Sequence, residues 1–286
     1  MIGMRLKGVR GSRNVEDRRG QRGGGGKGIG GRGLGIGGVL LLLVIGAFTG
    51  IDVTPFLTEQ PQAPQSAPTE LSEEERQAGE FVSRVLTTTE EVWTGVFRDQ
   101  LGREYTPPTL VLFSQVTSSP CGGASGATGP FYCPADQKAY LDTDFFATLA
   151  RRLQAGGDFA AAYVIAHEVA HHVQNQLGIL GKVDQARRRS SQVEANALTV
   201  RLELQADCLS GVWARSVWGL MEQGDLEEAL NAARMIGDDR LQRQAGRVPQ
   251  PHTFTHGTSA QRAAWFERGF ESGQVATCDT FNTNRL

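Results

Sequence analysis

From residue 72 to the end of the chain, the spacing of apolar residues changes between helical and extended patterns. A Ser-Glu-Glu-Glu capping box at 72–75 precedes apolar residues that recur at helical spacing up to residue 97, which predicts a long amphipathic helix. Two later runs, TLVLFSQV and KAYLDT, are rich in β-branched and apolar residues and predict strands. Further helical patterns follow at 144–155, 158–177, 191–221, 225–235 and 258–272. The expected fold of residues 72–286 is α+β, mainly helical, with a small sheet.

A different pattern precedes this domain. The segment 33–51, GLGIGGVLLLLVIGAFTGI, has no charged residue across 19 positions, and a helix that rises about 1.5 Å per residue would cover most of a bilayer core of roughly 30 Å. The alternative is a cleavable signal peptide, but 32 residues precede the segment and no clear small-x-small cleavage site follows it. We therefore expect one uncleaved transmembrane helix, followed at 52–71 by an extended stalk with four prolines.

The formal net charge of −2 hides an uneven distribution of charge. Nine Lys or Arg residues lie in the glycine-rich segment 1–32, so the positive-inside rule predicts that this segment is a cytoplasmic tail. The domain would then lie outside the cytoplasmic membrane, periplasmic or extracellular, with lipid contacting residues 33–51. No aromatic residue accompanies the basic residues, which disfavours a nucleic-acid partner. The sequence does not indicate an oligomeric state.

Export would change how the four cysteines are interpreted, because thiols in an oxidising compartment tend to pair. Four cysteines allow three connectivities. We favour a bridge between Cys121 and Cys133, which would close a short loop, and a second between Cys208 and Cys278, which would join a helix to the carboxyl-terminal segment. The alternative is four free, buried thiols.

The chemistry of the chain centres on His167-Glu168-Val169-Ala170-His171, an HExxH pattern within a helical run. Four residues of α-helix turn about 400°, so the two histidines project from one face, one turn apart, as two imidazoles that share a zinc ion must. Glu168 is adjacent to the first ligand and suits the role of general base toward an attacking water. A chance match is a poor explanation in a chain with only five histidines.

Two histidines leave a catalytic zinc one protein ligand short, and a later helix offers three carboxylates. Glu203 and Asp207 stand at i and i+4, so one could bind the metal while the other accepts from the free N–H of a ligand imidazole. Glu194 precedes Glu203 by nine residues, about two and a half turns, and points away from it. We expect Glu203 as the ligand, Asp207 as the hydrogen-bond partner and no role for Glu194. An exposed acidic face is the alternative.

Three further histidines are weaker candidates. His256 precedes a helix capped by Thr258 or Ser259, and its side chain could donate to the oxyanion of a tetrahedral intermediate. A loop position without a catalytic role is an equal alternative for His256, and the better interpretation for His252. His172 lies off the ligand face of its helix, so we expect a surface residue or one that supports a ligand.

Several motifs, taken in order, resemble one bacterial family. NVEDRRG, CGGA, GPFYCPAD, HEVAHHVQ, ELQADC and HGTSAQRAAWFERGF are similar to motifs of the putative neutral zinc metallopeptidases, and the resemblance covers nearly the whole chain. The spacing of Glu203 and Asp207 also resembles the ExxxD element of gluzincins. The resemblance implies a membrane-tethered, zincin-like peptidase with one zinc ion per chain, with His167, His171 and Glu203 as ligands and Glu168 as base.

The function expected from these observations is that of a membrane-anchored zinc-dependent endopeptidase that hydrolyses peptide or protein substrates. The alternative is a non-catalytic, zinc-containing binding or assembly protein of the bacterial envelope. An intact Glu168 favours the enzyme, because a structural zinc site needs no base and commonly recruits a fourth side chain.

Overall fold

The computed structural model describes residues 4–20, 70–125, 129–151, 153–284 and 286. Its helices, in chain order, are α1 (Glu73–Val96), α2 (Asp144–Arg151), α3 (Asp158–Gln176), α4 (Ile179–Arg187), α5 (Gln192–Ser216), α6 (Asp225–Met235), α7 (Asp238–Gln244) and α8 (Ser259–Ser272). The strands are β1 (Val15–Asp17), β2 (Thr109–Phe113), β3 (Val116–Ser119), β4 (Gly122–Ser125), β5 (Phe131–Cys133) and β6 (Lys138–Asp142). These elements confirm the α+β class and the predominance of helix.

The sheet has four strands in the order β1-β2-β6-β5. Strands β1, β2 and β6 run parallel, whereas β5 pairs antiparallel with β6 at one edge. Strands β3 and β4 form a separate antiparallel hairpin. Both strands expected from the sequence, β2 and β6, lie at the centre of the sheet, where their continuous apolar runs are buried on both faces.

Helix α3 carries the HExxH pattern and is the most buried helix that the structure describes in the domain. Alanine and larger apolar residues occupy nearly every face, so neighbours can pack all around it. Helices α1, α5 and α6 contact α3, as do strands β5 and β6. This central position holds the two histidines of the pattern away from bulk water.

Helices α5 and α8 cross with their backbones in contact. A Cβ atom added at Gly211 would lie 2.0 Å from the carbonyl oxygen of Phe266, and one added at Gly269 would lie 1.9 Å from that of Cys208. Only glycine permits this approach. The crossing fixes α8 beside the stretch of α5 that contains the acidic residues expected near the metal.

Both expected disulfides are present, which confirms the favoured connectivity. Cys121 is bonded to Cys133, and Cys208 is bonded to Cys278. The second bridge joins the middle of α5 to a 3-10 turn near the carboxyl terminus. It therefore restrains α5 next to its acidic residues.

Several elements were not expected from the sequence. Two residues separate α4 from the end of α3, one of them Gly178 at φ 74°, and α7 is a seven-residue polar helix without apolar periodicity. Helices α2 and α5 end earlier than expected, at Arg151 and Ser216. The strands β1, β3, β4 and β5 have only three or four residues each, which is too short to show an alternating pattern.

The expected transmembrane helix, 33–51, and the stalk, 52–71, fall almost entirely outside the described residues. Among the residues that are described, no helix is long and apolar enough to cross a bilayer. Residues 4–20, which the sequence analysis assigned to a tail, contact the domain and contribute strand β1 to its sheet. The compartment of each segment stays a prediction.

Candidate metal centre

The two histidines of the HExxH pattern face a carboxylate from a second helix. His167 and His171 lie one turn apart on α3, with ring centroids 4.8 Å apart. Glu203 approaches from α5, with its Oε2 atom 3.1 Å from Nε2 of His167 and its Oε1 atom 3.5 Å from Nε2 of His171. One ligand atom from each residue lies within 4.8 Å of the other two. The structure thus brings together the three residues expected to hold the metal.

The Nδ1 atom of His171 is held from the opposite side by Gln174. The Oε1 atom of Gln174 lies 2.8 Å from this nitrogen, one turn further along α3. The amide nitrogen of Gln174 in turn donates to the carbonyl oxygen of Leu202 and to the side chain of Gln205. Because an amide oxygen only accepts, His171 carries a proton on Nδ1, which makes Nε2 the ring nitrogen available to a metal ion.

A buried acidic residue performs the equivalent role for His167. The Oδ1 atom of Asp207 lies 3.0 Å from Nδ1 of His167, at ion-pair distance, although the ring N–H is not aligned for a hydrogen bond. Asp207 has no exposed side-chain surface. Its Oδ1 also accepts from the hydroxyl of Tyr163 and from Nη2 of Arg262, which is 2.9 Å away. Asp207 therefore occupies the supporting position expected from the sequence.

The charges of this cluster are balanced within the protein interior. Burial alone would raise the pKa of Asp207, but the charge of Arg262 and the contact with His167 hold it below its usual range. Burial likewise opposes ionisation of Glu203, yet the two histidines keep its pKa well below the ordinary value. Burial would lower the pKa of His167, but contacts with Asp207 and Glu203 raise it to about 9. Without a metal, the two neighbouring carboxylates thus favour the protonated form of His167.

Glu168 lies between the two histidines in sequence and is 9% exposed. Burial raises the pKa of its carboxyl group, and the neighbouring His171 and His167 oppose that rise. A carboxylate that gains proton affinity in this way is better suited to accept a proton near neutral pH than an exposed one.

His256 is held by Asp238, the first residue of α7. One oxygen of Asp238, Oδ2, accepts from the backbone nitrogens of Thr255, His256 and Gly257. The other, Oδ1, lies 3.2 Å from Nδ1 of His256. Burial would lower the pKa of His256, but Asp238 and the charge of Glu203 raise it. Asp238 thus fixes the loop that carries His256.

The remaining candidates lie elsewhere. Glu194 is exposed and completes the capping box of α5 by accepting from the backbone of Ser191. The backbone oxygen of His252 accepts from Asn196 in a short 3-10 turn, and the residue is exposed.

His172 is buried rather than on the surface. Its Nδ1 atom lies 2.9 Å from the hydroxyl of Tyr132 on β5, and its Nε2 atom lies 2.7 Å from the carbonyl oxygen of Thr106. His172 therefore fastens the sheet edge and the segment before β2 to helix α3.

Sequence reasoning missed four residues that support the centre: Tyr163, Gln174, Asp238 and Arg262. Gln174 could have been noticed, because it is a polar residue one turn after His171 and on the same face of the helix. Arg262 is a charged residue on the apolar face of α8, which is a comparable signal. Asp238 gave none, because its role depends on the return of a loop 18 residues later.

The donor set fits a zinc ion. Imidazole nitrogens and carboxylate oxygens are common zinc ligands, and three protein ligands are typical of catalytic rather than structural zinc. In addition, Asp207 and Gln174 contact the Nδ1 atoms of the two histidines, so that both Nε2 atoms face Glu203. Metal sites commonly orient their histidine ligands by such partners. Among the described residues, no fourth side chain completes this group.

Comparison with known proteins agrees with this geometry. YpfJ, an uncharacterized protein of Escherichia coli K12, is 50% identical over 285 residues, which cover 97% of this chain and 99% of YpfJ. An uncharacterized protein of Mycobacterium tuberculosis H37Rv is 43% identical over 195 residues, covering 64% of this chain and 65% of its own length. No solved structure is significantly similar.

Residues 4–281 match the family described as "Putative neutral zinc metallopeptidase". This match includes the amino-terminal segment, the HExxH helix, Glu203 and Asp207 of α5, and the whole of α8. The chain therefore belongs to the family of putative neutral zinc metallopeptidases.

Proposed function

We propose that this protein is a zinc-dependent endopeptidase of gluzincin-like type that hydrolyses peptide bonds. The observation that carries the proposal is the convergence of His167, His171 and Glu203 beside a buried Glu168. Three oriented donors next to a carboxylate of raised proton affinity form the combination that hydrolysis of an amide requires.

His167, His171 and Glu203 would hold the ion. When bound, zinc supplies a Lewis acid that polarises a carbonyl group and lowers the pKa of water. Asp207 and Gln174 keep the two imidazoles oriented through their Nδ1 atoms, so that little reorganisation is needed when the ion enters. Arg262 prevents Asp207 from taking up a proton in the interior.

Glu168 would act as the general base. Its carboxylate accepts a proton from the attacking water and passes that proton to the leaving amide nitrogen. Its burial supports this role, because a base with a pKa nearer the working pH both accepts and releases a proton readily.

His256 would stabilise the developing negative charge on the carbonyl oxygen. Asp238 holds Nδ1 of His256, which leaves Nε2 as the donor toward substrate. Because burial would disfavour a cationic histidine, the carboxylate of Asp238 is what retains the donor proton. Asp238 is thus a positioning residue and His256 a catalytic residue in this proposal.

The decisive experiment measures bound zinc and cleavage of a broad peptide library by purified wild-type protein and by the Glu168→Gln variant. We expect the variant to retain zinc, because both histidines and Glu203 remain, and to lose roughly 10²- to 10⁴-fold in cleavage rate. Glu91→Gln, on the exposed face of α1, is a matched control that should change neither quantity.

Equal cleavage by wild type and Glu168→Gln would exclude Glu168 as the base. Zinc binding without cleavage by any form would favour the alternative, a binding or assembly protein of the envelope. Absence of zinc from the wild-type protein would exclude both.

A further inference from the structure

The amino-terminal segment Met4–Gly20 is part of the folded domain. The side chains of Met4 and Leu6 are buried in the main hydrophobic core, although the sequence around them is basic and rich in glycine. The backbone nitrogen of Met4 donates to Asp158, the first residue of the helix that carries HExxH. The backbone nitrogen of Arg5 donates to the carbonyl oxygen of Leu220, 2.8 Å away. The segment therefore contacts the structural core at its first described residues.

Strand β1 within this segment extends the sheet. Val15, Glu16 and Asp17 pair in parallel with residues 110–112 of β2. Backbone hydrogen bonds at both ends join Leu110 to Asn14 and Arg18 to Leu112, at 2.8 and 2.7 Å. Without β1, the buried apolar strand β2 would be an unpaired edge, which proteins generally avoid.

Arg19 fixes the end of the segment against α1. Its side chain is 8% exposed, and its guanidinium pairs with Asp17 at 2.7 Å and donates to the carbonyl oxygen of Glu75. The guanidinium lies where the side chain of residue 79 would stand, because a Cβ atom at Gly79 would be 2.2 Å from Nη2 of Arg19. Any side chain larger than that of glycine at position 79 of α1 would therefore clash with the guanidinium of Arg19.

Further polar contacts join the segment to two other parts of the domain. Ser12 and Asn14 donate to the same oxygen of Glu90 on α1, at 2.5 and 2.8 Å. Glu16 pairs with Lys138 of β6 at 2.6 Å. Contacts of this number and burial belong to an integral strand of a fold.

We propose that residues 4–20 and the metal-binding domain fold together in one compartment. The 49 residues that separate Gly20 from Glu70 are long enough to connect them on one side of a membrane. A chain that crossed a bilayer once between these two positions would separate β1 from β2, and the sheet could not form. The topology inferred here thus differs from the cytoplasmic tail and exported domain that the positive-inside rule predicts.

A cysteine pair tests this proposal in the full-length chain. A Cβ atom built at Gly11 would lie 3.6 Å from Cβ of Ser83 on α1, within the range found in disulfides. All four native cysteines are already paired, so Gly11→Cys with Ser83→Cys adds the only free thiols. Intact bacterial cells that produce this variant are treated with a membrane-permeant oxidant, the remaining thiols are blocked, and the chain is mapped without reduction.

We expect the peptide that contains residue 11 to be linked to the peptide that contains residue 83. Gly11→Cys with Gly95→Cys is the matched control, because Gly95 lies on the same helix with nothing within 4 Å of its Cβ position, and it should remain unlinked. No link between residues 11 and 83 after oxidation would overturn the proposal.

A second measurement tests the same proposal without the cysteine pair, in case the two substitutions disturb the packing of residues 4–20. Arg10→Cys and Lys182→Cys place single thiols at exposed positions of the segment and of the domain. In intact spheroplasts, an impermeant maleimide should label either both or neither, and permeabilised spheroplasts should label both. Labelling of one position with protection of the other would show that the two parts lie on opposite sides and would refute the proposal.

Discussion

Replacement of Arg262 by methionine is expected to be among the most destabilising single changes in this domain. Arg262 is 1% exposed, and its Nη2 atom lies 2.9 Å from Oδ1 of Asp207, which is fully buried. Methionine has a similar length but no charge, so the variant leaves an uncompensated carboxylate in the interior. Removal of one partner of a buried ion pair typically costs about 3–5 kcal/mol. For a domain of this size, that loss corresponds to a decrease of roughly 6–20 °C in Tm.

The same change should weaken the metal centre. Without Arg262, the pKa of Asp207 rises because burial is no longer opposed by that charge, so its carboxylate supports His167 at Nδ1 less strongly. We expect zinc affinity to fall by roughly 10- to 100-fold, as it does when other metal sites lose an outer hydrogen-bond partner, and we expect Asp207→Ala to have an effect of the same size. The combined variant, Arg262→Met with Asp207→Asn, should lose less stability than the sum of the single changes, because it buries no unpaired charge.

Thermal unfolding and zinc competition assays on the purified variants measure both effects. Arg188→Met is the control, because Arg188 pairs with Asp184 at 2.7 Å at the exposed carboxyl-terminal end of α4, where such a pair contributes little to stability. If Arg262→Met were as stable as Arg188→Met and bound zinc like the wild type, the supporting role assigned to Arg262 would be wrong.

Three further predictions concern the third metal ligand, the crossing of α5 and α8, and the proton that His167 carries without a metal. Glu203→Ala should lose most bound zinc and Glu194→Ala should lose none. The zinc content of the two purified variants tests this, and a metal-free Glu194→Ala protein beside a fully loaded Glu203→Ala protein would reverse the assignment. Gly211→Ala should destabilise the domain by about 1–3 kcal/mol or more in urea unfolding, because α8 must move away, whereas Gly181→Ala should not; equal stability would contradict the close crossing. Because the pKa of His167 is raised to about 9, zinc must displace its proton, so zinc affinity should increase about tenfold per unit from pH 7 to pH 9; an affinity independent of pH would refute this.

Local patterns in the sequence were sufficient for the parts of the site that a single helix controls. The i and i+4 spacing of His167 and His171 places both on one face, because a helix turns by a constant angle per residue. The same reasoning distinguished Glu203 from Glu194, which are half a turn out of phase. Capping residues and turn glycines located most helix ends to within a few residues, because they act on backbone groups nearby in sequence.

Contacts between distant parts of the chain required the tertiary structure. Nothing in the sequence indicates that Arg262 would meet Asp207, because their contact depends on two glycines that allow α5 and α8 to cross at backbone distance. Nor does the basic segment before residue 20 reveal that it completes a sheet, because three residues are too few to show a strand period. The sequence by itself determined which residues could bind zinc and which could act as a base. The three-dimensional packing decided which buried groups orient and neutralise them, since burial and charge balance arise only when separate elements come together.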